Sequence, residues 1–518
     1  MTGTLLVTGT SSGAGKSTLV AGLCRWLARR GFSVAPFKAQ NMSLNSFVTR
    51  QGEEIGRAQA AQAEAAGIEP EAVMNPVLLK PGTDSRSQVV VLGRAAGEME
   101  ARTYWDGRAG LLDVVVESYR DLRTRFDIVV CEGAGSPAEI NLRAFDIVNL
   151  GFARAVGAPV VVVADIDRGG AFASLAGTVA LLDGEDQRLV QGFVMNKFRG
   201  DRSLLEPGLD MLEAVTDRPT IGVLPYVDGL WIDEEDRPNP SAYRDPGLVL
   251  GADVLRVAVV RLPRASNLTD FDPLVAEPGV IVRFASRPEE LADADLVVLP
   301  GTRATVDDLS WLRSRGIDQA LVQRAAVGRP ILGICGGYQM MGAVIDDAVE
   351  SRRGVVDGLG LLPVYTTFGA EKVLGRLSRE ASPGVVVEGY EIHHGAVSRS
   401  GGSPLFADQG CRVGAVAGTS WHGLFENDAF RRRFLVETAQ RAGRAFTVSP
   451  DTSFGDLRDA RFEQLADMVA DHLDTDALVR IIEGHTQKHL TVGIGPLVTG
   501  GGVPWGSCRR GTIAGPGA

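Results

Sequence analysis

Short runs of apolar, β-branched residues alternate with longer amphipathic segments through the first 226 residues of the chain. The runs have the length of buried strands, and the segments between them, such as Ser17 to Arg29, have helical spacing. This alternation predicts a parallel sheet covered by helices on both faces. The predicted strands are Leu5–Val7, Ser33–Phe37, Ile128–Val130, Val160–Val163, Phe193–Met195 and Ile221–Leu224.

A second series of strands and helices begins near Leu255 and predicts a separate α/β domain. Proline and acidic residues cluster between the two series, which is typical of a linker, and the glycine-rich end of the chain predicts disorder. We therefore divide the chain into 1–226, a linker at 227–252, 253–440, a helical segment at 441–490 and a tail at 491–518. The second series has predicted strands at Val257–Leu262, Val280–Phe284, Leu296–Leu299 and Ile331–Ile334, then a β-rich stretch to Phe425.

Composition narrows the class of protein without identifying it. With 45% hydrophobic and 23% charged residues, the chain is typical of globular proteins. Its net charge of -11 argues against nucleic-acid binding, and its apolar runs are too short to cross a membrane. The five cysteines form no CxxC pair, and the N-terminus does not resemble a signal peptide. We expect a cytoplasmic protein, and no pattern points to a particular oligomeric state.

A glycine-rich loop follows the first predicted strand and opens the first predicted helix. Residues 9–17 read Gly-Thr-Ser-Ser-Gly-Ala-Gly-Lys-Ser, with the first glycine one position earlier than in the common phosphate loop. Backbone N–H groups of such a loop can cradle phosphates at the positive end of a helix. We expect Gly13, Gly15 and Lys16 to bind nucleotide phosphates and Ser17 to ligate Mg²⁺. The alternative is a turn that opens an ordinary helix.

This form of the loop resembles that of dethiobiotin synthetase-like P-loop proteins, which activate carboxylates with ATP. The resemblance implies that Lys38, at the end of the next strand, faces the phosphates. Glu132 ends a hydrophobic strand, where its carboxylate could hold Mg²⁺ directly or through water. Asn196 is similar to the residue that reads adenine in these proteins. The alternatives are a solvated lysine at the strand end and a simple turn at Asn196.

The second chemical signal is a cysteine between an apolar strand and a helix-compatible run. Gly333-Ile-Cys335-Gly336-Gly337 is the thiol analogue of the serine nucleophile elbow. Small neighbours permit the strained turn, and a helix N-terminus lowers the thiol pKa. A small buried hydrophobic residue is the alternative interpretation of a lone cysteine. We predict that Cys335 is a nucleophile.

A cysteine nucleophile needs a base, and His422 is the predicted one. Its order and spacing after Cys335 resemble class I glutamine amidotransferases, whereas His394 is expected to have a structural or substrate-contacting role. The glutamate that this class places two residues after the histidine is replaced here by Leu424. We therefore expect a Cys–His dyad oriented by a backbone group, with Glu426 as the alternative third member.

Backbone amides complete the predicted glutaminase site. The N–H of Gly336 follows the nucleophile, and Gly301 lies in a loop after a predicted strand, so both could donate to an oxyanion. Attack of Cys335 on the side-chain amide of glutamine would release ammonia. A nucleotide site that activates carboxylates and a glutaminase on one chain together predict ATP-dependent amidation.

Several segments resemble the cobyric acid synthase family. They are Phe37–Val48, Glu54–Glu64, Met74–Pro81, Ala164–Phe172 and the segments around Cys335 and His422. The resemblance covers residues 1 to about 440. It implies that the chain uses L-glutamine and ATP-Mg²⁺ to amidate a corrinoid. The family converts the b, d, e and g carboxylates of adenosylcobyrinic acid a,c-diamide to give adenosylcobyric acid in cobalamin biosynthesis.

Two alternative functions share parts of this pattern. The sister enzyme that amidates the a and c carboxylates of cobyrinic or hydrogenobyrinic acid has both domains but lacks the segment after Phe37. A P-loop regulatory ATPase with a degenerate glutaminase domain would not need the intact cysteine segment. Gln40, Asn41 and Asn45 could face the corrinoid, or could lie at a helix N-terminus capped by Asn41 or Ser43.

Overall fold

The computed structural model describes residues 1–83, 86–227, 230, 249–382, 384–487 and 489–492. The predicted linker at 227–252 and the predicted tail at 491–518 lie largely outside these residues. The described residues form a mixed α/β protein, with one large, mainly parallel sheet in each half of the chain. The predicted fold class, two α/β domains with a parallel sheet in the first, is therefore confirmed.

The N-terminal half contains strands β1–β12 and helices α1–α7. The strands are β1 (Gly3–Gly9), β2 (Val34–Phe37), β3 (Gln40–Met42), β4 (Ser46–Val48), β5 (Glu54–Gly56), β6 (Val77–Thr83), β7 (Arg86–Val91), β8 (Arg94–Glu100), β9 (Ile128–Glu132), β10 (Val160–Asp165), β11 (Val190–Phe198) and β12 (Thr220–Pro225). The helices are α1 (Lys16–Arg29), α2 (Arg57–Ala65), α3 (Ala101–Arg125), α4 (Leu150–Val156), α5 (Ala171–Leu181), α6 (Gly184–Leu189) and α7 (Glu206–Thr216).

Six of these strands form a parallel sheet in the order β12-β11-β10-β1-β9-β2. All six coincide with apolar runs that predicted strands, because strands buried on both faces need continuous hydrophobic sequence. The central strand β1 lies between β10 and β9. The ends of these three strands carry the phosphate loop, Asp165 and Glu132, so their polar groups meet at one edge of the sheet.

Short strands between α1 and α3 form two further sheets that the sequence pattern did not predict. One has the order β3-β6-β7-β8, and the other is the antiparallel pair β4–β5. Their residues include Gln40, Asn41 and Ser46, which lie in short polar segments without strand periodicity. The helix-cap alternative for Asn41 or Ser43 is therefore wrong, since Asn41 lies within β3 and the next helix begins only at Arg57.

The C-terminal half contains strands β13–β24 and helices α8–α14. The strands are β13 (Leu255–Val260), β14 (Ala265–Ser266), β15 (Val280–Ala285), β16 (Leu296–Leu299), β17 (Gly301–Thr302), β18 (Ile331–Ile334), β19 (Val344–Asp347), β20 (Gly354–Asp357), β21 (Val364–Ser382), β22 (Val385–Arg399), β23 (Cys411–Val413) and β24 (Val416–Thr419). The helices are α8 (Asp272–Val275), α9 (Thr305–Ser314), α10 (Ile317–Ala326), α11 (Gly336–Met341), α12 (Asp428–Ala442), α13 (Phe454–His472) and α14 (Thr475–Ile482).

The second large sheet has the order β15-β13-β16-β18-β24-β23, and β23 is its antiparallel strand. A long antiparallel hairpin, β21–β22, lies beside it. The sheet places Cys335 at the end of β18, next to β24, and His422 follows β24 by three residues. Parallel pairing of β18 and β24 therefore brings Cys335 and His422 together.

The last two helices return to the N-terminal half. Leu465 and Val469 of α13 share a hydrophobic core with Leu19 and Leu23 of α1, and Ile481 of α14 packs in the same core. The predicted C-terminal helical segment thus covers one face of the first sheet. Among the described residues, no helix is long and apolar enough to cross a membrane.

Candidate active sites

The phosphate loop connects β1 to α1 through a turn of 3-10 helix at Ser12–Ala14. Gly15 has a positive φ of 94°, and a Cβ there would lie 2.0 Å from the Asn196 amide nitrogen, so only glycine fits. The Lys16 ammonium donates to the carbonyl oxygens of Ser11 and Ser12 at 3.0 and 3.3 Å. These contacts hold the lysine side chain over the loop.

Glu132 is the centre of a buried polar cluster at the edge of the first sheet. One carboxylate oxygen accepts hydrogen bonds from Ser17 Oγ at 2.8 Å and Lys38 Nζ at 2.9 Å. The other oxygen accepts from Gln62 Nε2 at 2.6 Å. Burial alone would raise the pKa of Glu132, but the charge of Lys38 and the hydrogen bonds from Lys38 and Gln62 hold the pKa below its usual value. Glu132 is therefore an anion beside the phosphate loop.

The structure brings the two predicted metal-binding residues, Ser17 and Glu132, into direct contact. A hydroxyl and a carboxylate are hard oxygen donors that suit Mg²⁺, which usually takes its remaining ligands from phosphates and water. Within the described part of the chain, no group of three or more His, Cys, Asp or Glu residues could hold a metal by itself. A metal here would take its remaining ligands from phosphate oxygens and water.

Asn196 contacts the phosphate loop from the end of β11. Its Nδ2 donates to the carbonyl of Ala14 at 2.9 Å, and its Oδ1 accepts from the backbone N–H of Lys197 at 2.8 Å. The amide therefore ties β11 to the loop, and a role in adenine recognition stays a prediction.

Lys197 and Asp165 are polar residues of this site that the sequence patterns did not single out by role. Lys197 Nζ lies 2.9 Å from Asp165 Oδ2 and donates to the carbonyl of Gly13 at the same distance. The signal was present, because Asp165 ends a hydrophobic strand in the same way as Glu132.

In the C-terminal half, Cys335 lies on a sharp turn between β18 and α11. Its φ of 49° and ψ of -110° are strained for a residue with a side chain. A Cβ on Gly336 would lie 2.6 Å from Thr302, and one on Gly337 would lie 2.1 Å from the Leu299 carbonyl oxygen. The glycines are needed because the turn packs directly against β16 and β17.

The imidazole of His422 acts on the Cys335 thiol, whose pKa it lowers, and is oriented by Asp270. Its Nδ1 lies 2.7 Å from Asp270 Oδ2, and the other oxygen of this carboxylate accepts from the Gly423 N–H at 2.8 Å. The expected dyad oriented by a backbone group is therefore wrong. Glu426 does not take the third position either, since its carboxylate lies 2.8 Å from Arg57.

Asp270 was missed because the fold, and not the spacing, brings it to the site. It lies 152 residues before His422 and 65 residues before the nucleophile, in a turn of 3-10 helix at Leu268–Phe271. A search downstream of the histidine cannot find it. The sequence signal was an acidic pair, Asp270 and Asp272, soon after the first strand of the second sheet.

The pKa values of this triad favour a thiolate–imidazolium pair. Burial alone would raise the pKa of Cys335, but the charge and hydrogen bond of His422 lower it below its usual value. Burial would lower the pKa of His422, but Asp270 and Cys335 raise it to about 10. The arrangement can therefore hold a charged nucleophile in a buried site.

The two predicted oxyanion donors, Gly336 and Gly301, both lie close to Cys335 and His422. Gly336 follows Cys335, and Gly301 lies against the imidazole, because a Cβ on Gly301 would be 2.9 Å from His422 Cε1. Donation by the two backbone amides stays a prediction, and their position beside the thiol is compatible with it.

A narrow cavity beside Cys335 is lined by residues of both halves of the chain. It offers a volume of about 30 Å³ to water-sized molecules. Lys80 and Gln88 come from the N-terminal half, whereas Lys372 and His394 come from the C-terminal half. His394 Nε2 lies 3.3 Å from Gln88 Nε2. Burial, and secondly the positive charge of Lys372, lower the pKa of His394 to about 4. His394 is thus a neutral residue that lines the cavity, and His422 is the histidine that most lowers the thiol pKa.

Known proteins match both halves of this arrangement. A CobQ/CobB/MinD/ParA nucleotide binding domain matches residues 5–238, and a CobB/CobQ-like glutamine amidotransferase domain matches residues 256–430. A protein of Streptomyces coelicolor named cobyric acid synthase is 62% identical, over 95% of this chain and 98% of its own length. Proteins of the same name from Streptomyces avermitilis and Mycobacterium sp. (strain KMS) are 61% and 54% identical over 93% and 95% of this chain. They are aligned over 97% and 99% of their own lengths. The chain belongs to the cobyric acid synthase family.

Membership of the cobyric acid synthase family identifies the chain as an enzyme, a carbon–nitrogen ligase of the amidotransferase class. Its nucleotide-binding domain contains the P-loop and Glu132, and its glutamine amidotransferase domain contains Cys335 and His422. The regulatory ATPase with a degenerate glutaminase is therefore not the family of this chain.

Proposed function

We propose that the enzyme converts adenosylcobyrinic acid a,c-diamide into adenosylcobyric acid in cobalamin biosynthesis. It amidates the b, d, e and g carboxylates of this corrinoid, with L-glutamine as nitrogen donor and ATP as the activating substrate. The observation that carries the proposal is an identity of 54–62% to relatives named cobyric acid synthase, over at least 93% of this chain. We also propose that the enzyme acts in the cytoplasm.

Ammonia is produced in the unit at 253–440. The Cys335 thiolate attacks the side-chain amide carbon of glutamine, and the amides of Gly336 and Gly301 stabilise the oxyanion. The His422 imidazolium gives its proton to the leaving nitrogen, which departs as ammonia and leaves a γ-glutamyl thioester. Water then hydrolyses the thioester, returning the thiol and releasing glutamate. Asp270 keeps the imidazole in the required orientation.

The unit at 1–226 activates the carboxylate. The loop amides around Gly13 and Gly15, with Lys16 and Lys38, bind the phosphates of ATP, and Asn196 lies beside the nucleotide. The γ-phosphoryl group passes to a corrinoid carboxylate, ammonia attacks the acyl phosphate, and phosphate leaves. Ser17 and Glu132 would hold Mg²⁺, which neutralises charge on the phosphates.

The decisive experiment is incubation with Mg²⁺, ATP, glutamine and a panel of corrinoids, with product mass counting the converted carboxylates. Four conversions of adenosylcobyrinic acid a,c-diamide are expected. Two conversions of cobyrinic or hydrogenobyrinic acid, with none of the diamide, would support the sister a,c-diamide synthase instead.

Two variants separate the proposed sites. Cys335→Ala should abolish amidation with glutamine and retain it with ammonium salts, while the matched control Cys411→Ala retains both. Lys16→Ala should abolish amidation with either nitrogen source. Loss of both activities in Cys335→Ala, or survival of amidation in Lys16→Ala, would contradict the assignment.

A further inference from the structure

One turn of the N-terminal half is hydrogen-bonded to residues that surround the glutaminase triad. The Ser46 N–H donates to Asn267 Oδ1 at 2.9 Å, and the Ser46 carbonyl accepts from the Tyr390 hydroxyl at 3.2 Å. The Leu268 N–H lies 3.4 Å from Asn45 Oδ1. Asn45, Ser46, Asn267 and Tyr390 are all buried. We call Asn45 and Ser46, where the chain enters β4, the docking turn.

Tyr390 lies between the docking turn and the catalytic imidazole. Its ring is stacked on His422, with centroids 5.4 Å apart and an interplanar angle of 25°. The two backbones also exchange hydrogen bonds, of 3.1 and 2.9 Å. Phe47, next to the docking turn, contacts the Tyr390 ring edge-on at 5.1 Å. The phenol therefore links the N-terminal half to one face of His422.

Asn267 connects the same turn to the carboxylate of the triad. Its φ of 54° is the left-handed conformation, which asparagine tolerates better than most residues. It immediately precedes the 3-10 turn that contains Asp270, and the Asp270 N–H donates to its carbonyl at 3.0 Å. Two neighbours of the imidazole, Tyr390 and Asp270, are thus held by one docking turn.

Helix α2 connects the docking turn to the nucleotide site. The N–H of Arg57, the first residue of α2, donates to the Asn45 carbonyl at 3.1 Å. Gln62, in the second turn of this helix, donates to Glu132 at 2.6 Å. A single nine-residue helix therefore spans the distance between the docking turn and the carboxylate beside the phosphate loop.

We propose that the docking turn, acting through Tyr390 and Asn267, holds His422 and Asp270 in position for glutamine hydrolysis at Cys335. Tyr390 and Asn267 are positioning residues, since neither takes part in the bond changes. The physical reason is that proton transfer by His422 depends steeply on its orientation. Through α2, the docking turn is also connected to Glu132 beside the phosphate loop. The inference rests on the proposed glutaminase chemistry.

The test measures kcat and KM for glutamine in Tyr390→Phe, which removes the hydroxyl and keeps the stacked ring. Asn267→Gly removes the acceptor and keeps the left-handed backbone, and Asn267→Asp keeps both. We expect Tyr390→Phe and Asn267→Gly to lower kcat roughly three- to tenfold, the effect of one lost hydrogen bond, with little change in KM. Asn267→Asp should retain most of the wild-type kcat. Tyr365→Phe, at an exposed position of β21, is the matched control and should match wild type.

Two further measurements keep the inference separate from folding and from the proposed function. The rate of Cys335 alkylation by iodoacetamide, followed by peptide mass, should fall in Tyr390→Phe and Asn267→Gly. Amidation with ammonium salts should stay at the wild-type rate. Wild-type kcat and alkylation in both variants, or an equal loss with ammonium, would overturn the inference. If Cys335→Ala keeps glutamine-dependent activity, the proposed function itself fails.

Discussion

At the scale of single residues, the glutaminase site is determined by which atoms contact the imidazole of His422. One ring nitrogen is hydrogen-bonded to Asp270 at 2.7 Å, so the thiol can contact only the other. The carboxylate of Asp270 is itself fixed by the Gly423 N–H. This arrangement selects one tautomer of the neutral imidazole and stabilises the imidazolium.

We expect Asp270→Asn to lower glutamine-dependent turnover by at least roughly 100-fold, because an amide in that position favours the wrong tautomer. Amidation with ammonium salts should not change. The comparison variant is Glu426→Gln, which should lose roughly tenfold at most, since Glu426 contacts Arg57 and not the imidazole. Steady-state rates with both nitrogen sources provide the measurement. Equal losses in the two variants would contradict the role of Asp270.

At the scale of secondary structure, the two large sheets could be predicted from sequence and the small ones could not. Strands such as β10 are continuous apolar runs, because burial on both faces permits nothing else. Strands such as β3 and β4 are three residues long and partly polar, so they have no usable periodicity. For the same reason, Cys335 and Lys16 could be predicted from local motifs, whereas Asp270 depended on tertiary structure.

Helix α13 packs closely on α1 because α1 has a glycine, Gly22, at the contact. A Cβ on Gly22 of α1 would lie 2.9 Å from the Leu465 carbonyl oxygen and 3.1 Å from a methyl group of Val469. Both neighbours belong to α13, and the carbonyl cannot rotate away as a side chain could. The close approach of the two helices therefore requires glycine at this position.

We expect Gly22→Ala to lower the free energy of unfolding by roughly 1–3 kcal/mol through overpacking. Gly177→Ala is the matched control, because Gly177 lies inside α5 and a methyl group added there would meet nothing within 4 Å. That variant should be stabilised by roughly 0.5–1 kcal/mol, since alanine is the better helix former. Urea denaturation followed by circular dichroism measures both. Stabilisation by Gly22→Ala would show that α13 does not pack this closely.

At the scale of the whole molecule, the two halves are joined by buried charges beside the Cys335 cavity. Glu54 of β5 lies 2.6 Å from Lys80 of β6 and 2.5 Å from Lys372 of β21. In the proposed function, ammonia released at Cys335 crosses this interface to reach a carboxylate held near Glu132. The ion pairs therefore join the two halves of the chain to which the two proposed chemistries belong.

We expect Glu54→Gln to destabilise the protein by roughly 3–5 kcal/mol, because it leaves Lys80 and Lys372 buried without their counterion. Glu53→Gln, one residue earlier and only half-buried, should have little effect. Adding Lys372→Met to Glu54→Gln should restore part of the lost stability.

The stabilising effect of Glu54 should also depend on pH. Burial raises the pKa of Glu54, but the two lysines outweigh burial and hold the pKa below its usual 4.5. Its contribution is therefore complete above pH 4.5 and declines as the pH falls further, so the stabilities of wild type and Glu54→Gln should converge in acid. Thermal unfolding of both proteins across pH provides the measurement. A difference in Tm between wild type and Glu54→Gln that stays the same at every pH would contradict the charged interface.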